Sequence, residues 1–235
     1  MILADRAYAE LRARILDLRL CPGQIISELS LAAGLGMDRA AVHDALARLQ
    51  DEELVEPQLR RGFRVTVPTV ETMREIYEIV GVLEGLGVRR AAREGGSILL
   101  AALTAALETQ ERALAANDLE RWAHADFRFH ELLREAAGNR RQREIIHRYD
   151  GQLQRARIAT IHLRPAPRSS TDDHRAILSA IRAGDEDQAV QIHAAHRRRA
   201  DAEMLAAIRR FVESQSRAPS PEDAAPASTP SHRDG

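Results

Sequence analysis

The sequence predicts a mainly α protein in two parts: a small unit of three helices and a β-hairpin, then an all-helical bundle. Three observations predict it. Apolar residues recur at helical spacing through most of the chain, and only the stretch around residues 54–67 switches to the two-residue period of strands. Aromatic residues make up only 3% of the 235, while Leu and Ala abound, which favours helices over strands. The 44% hydrophobic and 29% charged composition is ordinary for a soluble globular protein.

The first helix is expected from about Arg6 to Arg19, with Tyr8, Leu11, Ile15 and Leu18 along one face. Pro22 and Gly23 end it in a turn. Ser27 can cap a short second helix that stops at Gly34 and Gly36, and Asp38 a third with Val42, Ala45, Leu46 and Leu49 on its buried face. A strand around Leu54 and Val55, a tip at Arg60, Arg61 and Gly62, and a strand alternating Phe63, Val65 and Val67 form the hairpin. That order of elements is a winged helix-turn-helix over residues 1–67.

Residues 68–70 read as a linker, and six helices follow over 71–213, broken at Gly95-Gly96, Asn117-Asp118, Gly138-Asn139, the "RPAPR" run and Gly184. Residues 214–235 are rich in Pro, Ser and Ala and lack an apolar face, so a disordered tail is expected there. No apolar run reaches the roughly 18 residues of a membrane span. Charges in "MILADRAYAE" stand where a signal peptide would be apolar. Cys21 is the single cysteine, which excludes an internal disulfide and fits a reducing compartment. The expected location is cytoplasmic, with no membrane partner.

Net charge is −1, so bulk charge selects no partner. All basic residues are Arg, a residue suited to phosphate and base-edge contacts. Residues 1–67 carry nine Arg against ten acidic groups, so DNA affinity must come from a local patch rather than a basic excess. The reading helix offers Arg39, His43 and Arg48 off its buried face, and the wing offers Arg60, Arg61 and Gly62 at its tip. Arg12 on the first helix joins this DNA-binding set.

In "WAHADFRFHELLREAAGN", Asp126 and His130 stand four residues apart, one turn above the other on a face marked as inward by Phe129 and Leu133. Buried charges are costly unless paired or metal-bound, so the pair needs partners elsewhere. Later helices carry further histidines that could join the pair. One carboxylate and three imidazoles suit a divalent ion, zinc first, with nickel, manganese and iron as alternatives. His193 lies one turn before His196 in "HAAH" and offers a competing ligand pair.

The run "YAELRARILDLRLCPGQIISELSLAAGLGMDRAAVHDALARLQDEELVEPQLRRGFRV" resembles the GntR family of bacterial transcription regulators. That pattern usually has Ser at the position of Asp38, Arg at His43 and Gly at Glu53, so an altered operator preference is expected. Residues 71–212 resemble the helical FCD effector domain of the FadR-type branch. This resemblance implies Asp126, His130, His174 and His196 as the metal ligands, and implies that His193 sits at a usually apolar position. In many members an Arg four residues before a glutamate helps bind a carboxylate. With Glu84 as that glutamate the position is Val80, and arginines on the middle helices, such as Arg157 or Arg168, are expected to substitute. The expected function is that of a homodimeric repressor on a double-stranded DNA operator, responsive to a small organic acid. A metal sensor, or a metal-dependent hydrolase or isomerase, are the alternatives.

Overall fold

A computed structural model describes residues 3–217, with side chains through Ser214. The N-terminal unit runs α1 (Leu3–Leu16), β1 (Ile25–Ile26), α2 (Glu28–Leu35), α3 (Arg39–Asp51), β2 (Val55–Gln58) and β3 (Gly62–Val65). The helical part follows as α4 (Val70–Glu94), α5 (Ser97–Ala115), α6 (Leu119–Ala136), α7 (Arg140–Thr160), α8 (Arg168–Ala183) and α9 (Glu186–Arg217). A single 3-10 turn, Ile161–Leu163, extends α7.

The N-terminal helices start where their caps dictate. Ser27 accepts from the Ser30 N–H at 3.3 Å, and Asp38 accepts from the Ala41 N–H at 2.8 Å. Gly36 closes α2 in the left-handed region at φ 62°. The first helix lies three residues earlier than expected, because the chain reverses at Leu18, whose φ is 59°. Ala7, Leu11, Ile15, Val42, Ala45, Leu46 and Leu49 form the core of this unit with Leu54, Phe63 and Val65.

The sheet has order β1-β3-β2, and β3 is antiparallel to both neighbours. Strand β1 was not expected, since two residues are too few to show a period. Nor does Val67 continue the second hairpin strand: β3 stops at Val65, and Val67 is 36% exposed. Gly62 has φ 96°, and a Cβ there would meet the Ile26 carbonyl oxygen at 2.4 Å, so the third strand demands glycine at the wing.

In the bundle, α4 packs along α9 and crosses α6 closely at Gly87. One apolar core gathers Val88, Leu103, Phe129, Leu133, Ile177 and Ile181, and a second gathers Met73, Ile76, Val80, Ile146, Leu153 and Ile208. Helix α7 meets the N-terminal unit. A Cβ on Gly151 would lie 2.8 Å from the Leu54 Cδ1 atom, and Gln152 donates to the Glu52 carbonyl at 3.2 Å. Helix α9 continues past Ser214 to Arg217, so the first residues of the tail expected from 214 are helical, and the rest of that expectation lies outside the described residues.

Candidate metal centre and DNA-reading surface

Three helices bring the four inward residues together. Asp126 and His130 come from α6, His174 from α8 and His196 from α9, each no more than 3% exposed. The Nε2 atoms of His174 and His196 are 3.2 Å apart. Asp126 Oδ1 lies 3.8 Å from His130 Nε2 and 3.7 Å from His174 Nε2. Ligand atoms of His130, His174 and His196 all fall within 4.8 Å of one another, a spacing one ion can bridge.

Each ring is oriented from behind. His174 Nδ1 donates to Gln110 Oε1 at 2.9 Å, and the Gln110 amide nitrogen donates to the Ala125 carbonyl at 3.4 Å, which fixes the amide's direction. His196 Nδ1 donates to Asp173 Oδ2 at 3.0 Å, and His130 Nδ1 to Glu84 Oε2 at 3.0 Å. With the Nδ1 proton committed in all three, the Nε2 lone pairs point inward beside a carboxylate oxygen. Burial pushes His130 down to about 4, against the pull of Glu84, and burial with the neighbouring imidazoles holds His174 well below the usual range. Neutral imidazole is the form that binds metal.

His193 is 1% exposed, and its Nε2 donates to Glu84 Oε2 at 2.8 Å. Glu84, His130 and His193 thus form a second group with metal-compatible spacing. The two groups share His130 through opposite ring nitrogens. The Nδ1 side is already satisfied by a protonated N–H to a carboxylate, whereas the Nε2 side has only acceptors. Burial works to raise Glu84, yet its partners His130 and, behind it, His193 hold it well below the usual carboxylate range. Glu84 therefore sits behind the His130 ring as a carboxylate.

Arginines rim the cluster. Arg157 Nε lies 2.6 Å from Asp126 Oδ2. Burial raises Asp126, but Arg157, His130 and His196 outweigh it and keep the carboxyl ionised. Arg164 Nε and Nη2 and the Tyr77 hydroxyl are buried without a hydrogen-bond partner among the described residues. They line a cavity of about 20 Å³ beside Asp126, His130 and His196, room for about one water. Val80 is packed in the apolar core and Arg168 is exposed.

Sequence reasoning missed Gln110, Asp173 and the roles of Glu84 and His193. Asp173 precedes His174 directly and was legible as a carboxylate beside an expected ligand. Gln110 lies on α5 with no spacing that ties it to the rest.

On the other unit, Arg39 and His43 project from the first turns of α3, their side chains 73% and 61% exposed. Glu28 of α2 holds both: Arg39 Nε at 3.1 Å and His43 Nδ1 at 2.9 Å. The His43 hydrogen bond, opposed by burial and aided by Arg39, keeps the Glu28 carboxyl below its ordinary range. Arg60 and Arg61 are exposed at the wing tip, where the Arg61 N–H donates to the Gln58 carbonyl at 3.0 Å. Arg12 and Arg48 are placed differently. Arg12 pairs with Glu52 at 3.0 Å, and Arg48 pairs with Asp5 at 3.0 Å and stacks 3.8 Å over the Tyr8 ring. Both line a groove shared with His147 and Gln154 of α7.

Among the described residues no helix is long and apolar enough to cross a membrane. Residues 3–65 match the family described as bacterial regulatory proteins, gntR family, and residues 75–199 match the FCD domain. An HTH-type transcriptional regulator in the TAR-I ttuE-ttuC' intergenic region of Agrobacterium vitis is 38% identical over 130 residues, 54% of this chain and 76% of that one. The gluconate operon transcriptional repressor of Bacillus licheniformis is 30% identical over 128 residues, 54% of this chain and 52% of the relative. The crystal structure of a GntR transcriptional regulator from Rhodococcus sp. RHA1 superposes with a TM-score of 0.73 at 27% identity, covering 86% of this chain and 97% of the other. The chain therefore belongs to the GntR family of DNA-binding bacterial transcription regulators, with an FCD domain as its helical part.

Proposed function

We propose that this protein is a ligand-responsive repressor that binds a double-stranded operator as a homodimer and holds one divalent metal on Asp126, His130, His174 and His196. The observation that carries the reading is electrostatic. Three Nε2 lone pairs and the Asp126 carboxylate face one another with their protons on the far side, and a cation is what such a set of acceptors lacks. Zinc fits the nitrogen-rich donor set best, with nickel, manganese and iron compatible.

When bound, the ion supplies a Lewis-acidic position for a carboxylate oxygen. Arg164, through Nε and Nη2, and the Tyr77 hydroxyl are the protein's own donors for that carboxylate, and Arg157 keeps Asp126 ionised. An arginine rim suits binding rather than proton transfer, because guanidinium groups do not deprotonate in this setting. This supports a regulator over a hydrolase or isomerase. The repressor sign follows the relative named as the gluconate operon repressor.

A second reading, in which the ion is itself the signal, draws support from the cavity of about 20 Å³, too small for an organic acid without side-chain movement. One experiment separates them: operator release by mono- and dicarboxylates and by chelation, on wild type and Asp126→Ala. Release of wild type by a carboxylate, abolished in the variant, supports the first reading. Release by chelation alone supports the second, and equal release of both proteins by a carboxylate sinks the metal-site mechanism.

A further inference from the structure

Away from the metal cluster, a cavity of about 580 Å³ lies where the winged unit meets the bundle. Its walls are Val55, Glu56, Arg64 and Thr66 on one side and Gln152 and Arg155 of α7 on the other. The size is that of a small-molecule site. Arg155 is 1% exposed. Its Nη2 donates to Thr66 Oγ1 at 2.8 Å, while its Nε and Nη1 are buried without a partner.

Arg134, Arg157 and Arg197, likewise buried, have counter-charges in Glu84 and Asp150, Asp126, and Asp201 respectively. Arg155 has none among the described residues, and burial alone pushes its guanidinium down to about 10. The carboxylates lining the cavity are committed elsewhere. Glu53 Oε1 is 3.6 Å from Arg148 and its Oε2 accepts from Gln152 at 3.4 Å, while Glu56 accepts from Gln58 at 3.3 Å and lies 3.8 Å from Arg64. An unpaired buried cation is costly, and a charge from outside the chain would offset it.

We propose that this junction cavity is a second ligand site, separate from the metal cluster, which takes a small oxyanion, carboxylate or phosphate, on Arg155. The fork of a guanidinium matches the paired oxygens of either group. Because the walls belong to the wing on one side and α7 on the other, the anion ties the reading head to the effector domain. Its occupancy then biases the head's orientation and with it operator affinity.

The test uses the full chain in a buffer free of multivalent anions, titrated with inorganic phosphate and separately with malonate, read by calorimetry and thermal unfolding. Wild type is expected to bind saturably at one junction site per chain, beside any malonate that the metal cluster takes, and the arm that Arg155→Met weakens identifies phosphate or carboxylate as the source. Arg155→Met is expected to fold, since it replaces an unpaired buried charge with an apolar chain, and to bind about tenfold more weakly or worse. Asp126→Ala is expected to keep the binding, which separates this site from the metal cluster. No saturable binding by wild type, equal binding by Arg155→Met, or loss in Asp126→Ala overturns the proposal. Should Arg155→Met fail to fold, Arg155→Lys is read instead: weaker binding supports the site, and unchanged affinity overturns it.

Discussion

His174 and His196 face each other through Nε2 atoms 3.2 Å apart, although each ring has already committed its Nδ1 proton to Gln110 or Asp173. Two lone pairs at that separation repel, and a cation held by these rings and Asp126 would turn the repulsion into coordination. The protein as purified is therefore expected to contain about one divalent metal per chain. Chelation should lower its melting temperature, since an ion bound only to the folded state adds about 2.7 kcal/mol at a hundredfold excess over Kd. His174→Ala and His196→Ala should each remove most of the metal, as measured by elemental analysis.

The same measurement distinguishes the ring of ligands from its support. His193 donates to Glu84 and Glu84 accepts from His130, so both act on the ligands from behind. His193→Ala should keep the metal while costing about 1–3 kcal/mol of stability, because a buried carboxylate loses a donor. Glu84→Gln should weaken metal affinity about 10- to 100-fold, as loss of an outer carboxylate does. Metal loss in His193→Ala as complete as in His174→Ala would mean that the ion sits on the Glu84 side instead.

On the DNA side, Glu28 grips both Arg39 and His43, which presents two exposed donors in a held arrangement. Arg39→Ala should cost about 1–3 kcal/mol of discrimination between operator and mismatched sequences. Arg61→Ala should weaken binding to all sequences alike and flatten the salt dependence, as loss of a phosphate contact does. Competition binding at two salt concentrations reads both, and an unchanged specificity ratio for Arg39→Ala removes it from the base contacts.

Glu53 tests the junction. Its φ of 56° lies where glycine is favoured, yet its carboxylate reaches Arg148 at 3.6 Å and Gln152 at 3.4 Å. Glu53→Gly relieves about 1 kcal/mol of left-handed strain and gives up a surface pair worth about 0–1 kcal/mol. Stability by urea denaturation should hence stay within about 1 kcal/mol of wild type. A loss of several kcal/mol would show that the α7 contacts dominate.

Gly87 is the opposite case. A Cβ there would lie 1.8 Å from the Leu133 carbonyl oxygen, so α4 and α6 touch backbone to backbone. Gly87→Ala should destabilise by about 1–3 kcal/mol or more, since relief needs two helices to separate. Thermal unfolding checks it, and an unchanged midpoint would mean that the helices cross farther apart.

Much of this molecule could be read one residue at a time. The caps at Ser27 and Asp38, the glycine breaks and the inward face of Asp126 and His130 depend on neighbours within one or two turns, and local periodicity records such neighbours. What tertiary structure decided lies across long separations. Strand β1 exists because Gly62 lets Ile26 approach, and a two-residue strand has no period of its own. His193 and His196 look alike in "HAAH". Only the packing of α9 against α4 and α8 turns one ring to Glu84 and the other to His174 and Asp173. Arg155 reads as any arginine on a polar helix until the wing covers it and takes away its water. Burial is a property of the assembled fold, and the charges that it leaves unpaired are where the sequence alone falls silent.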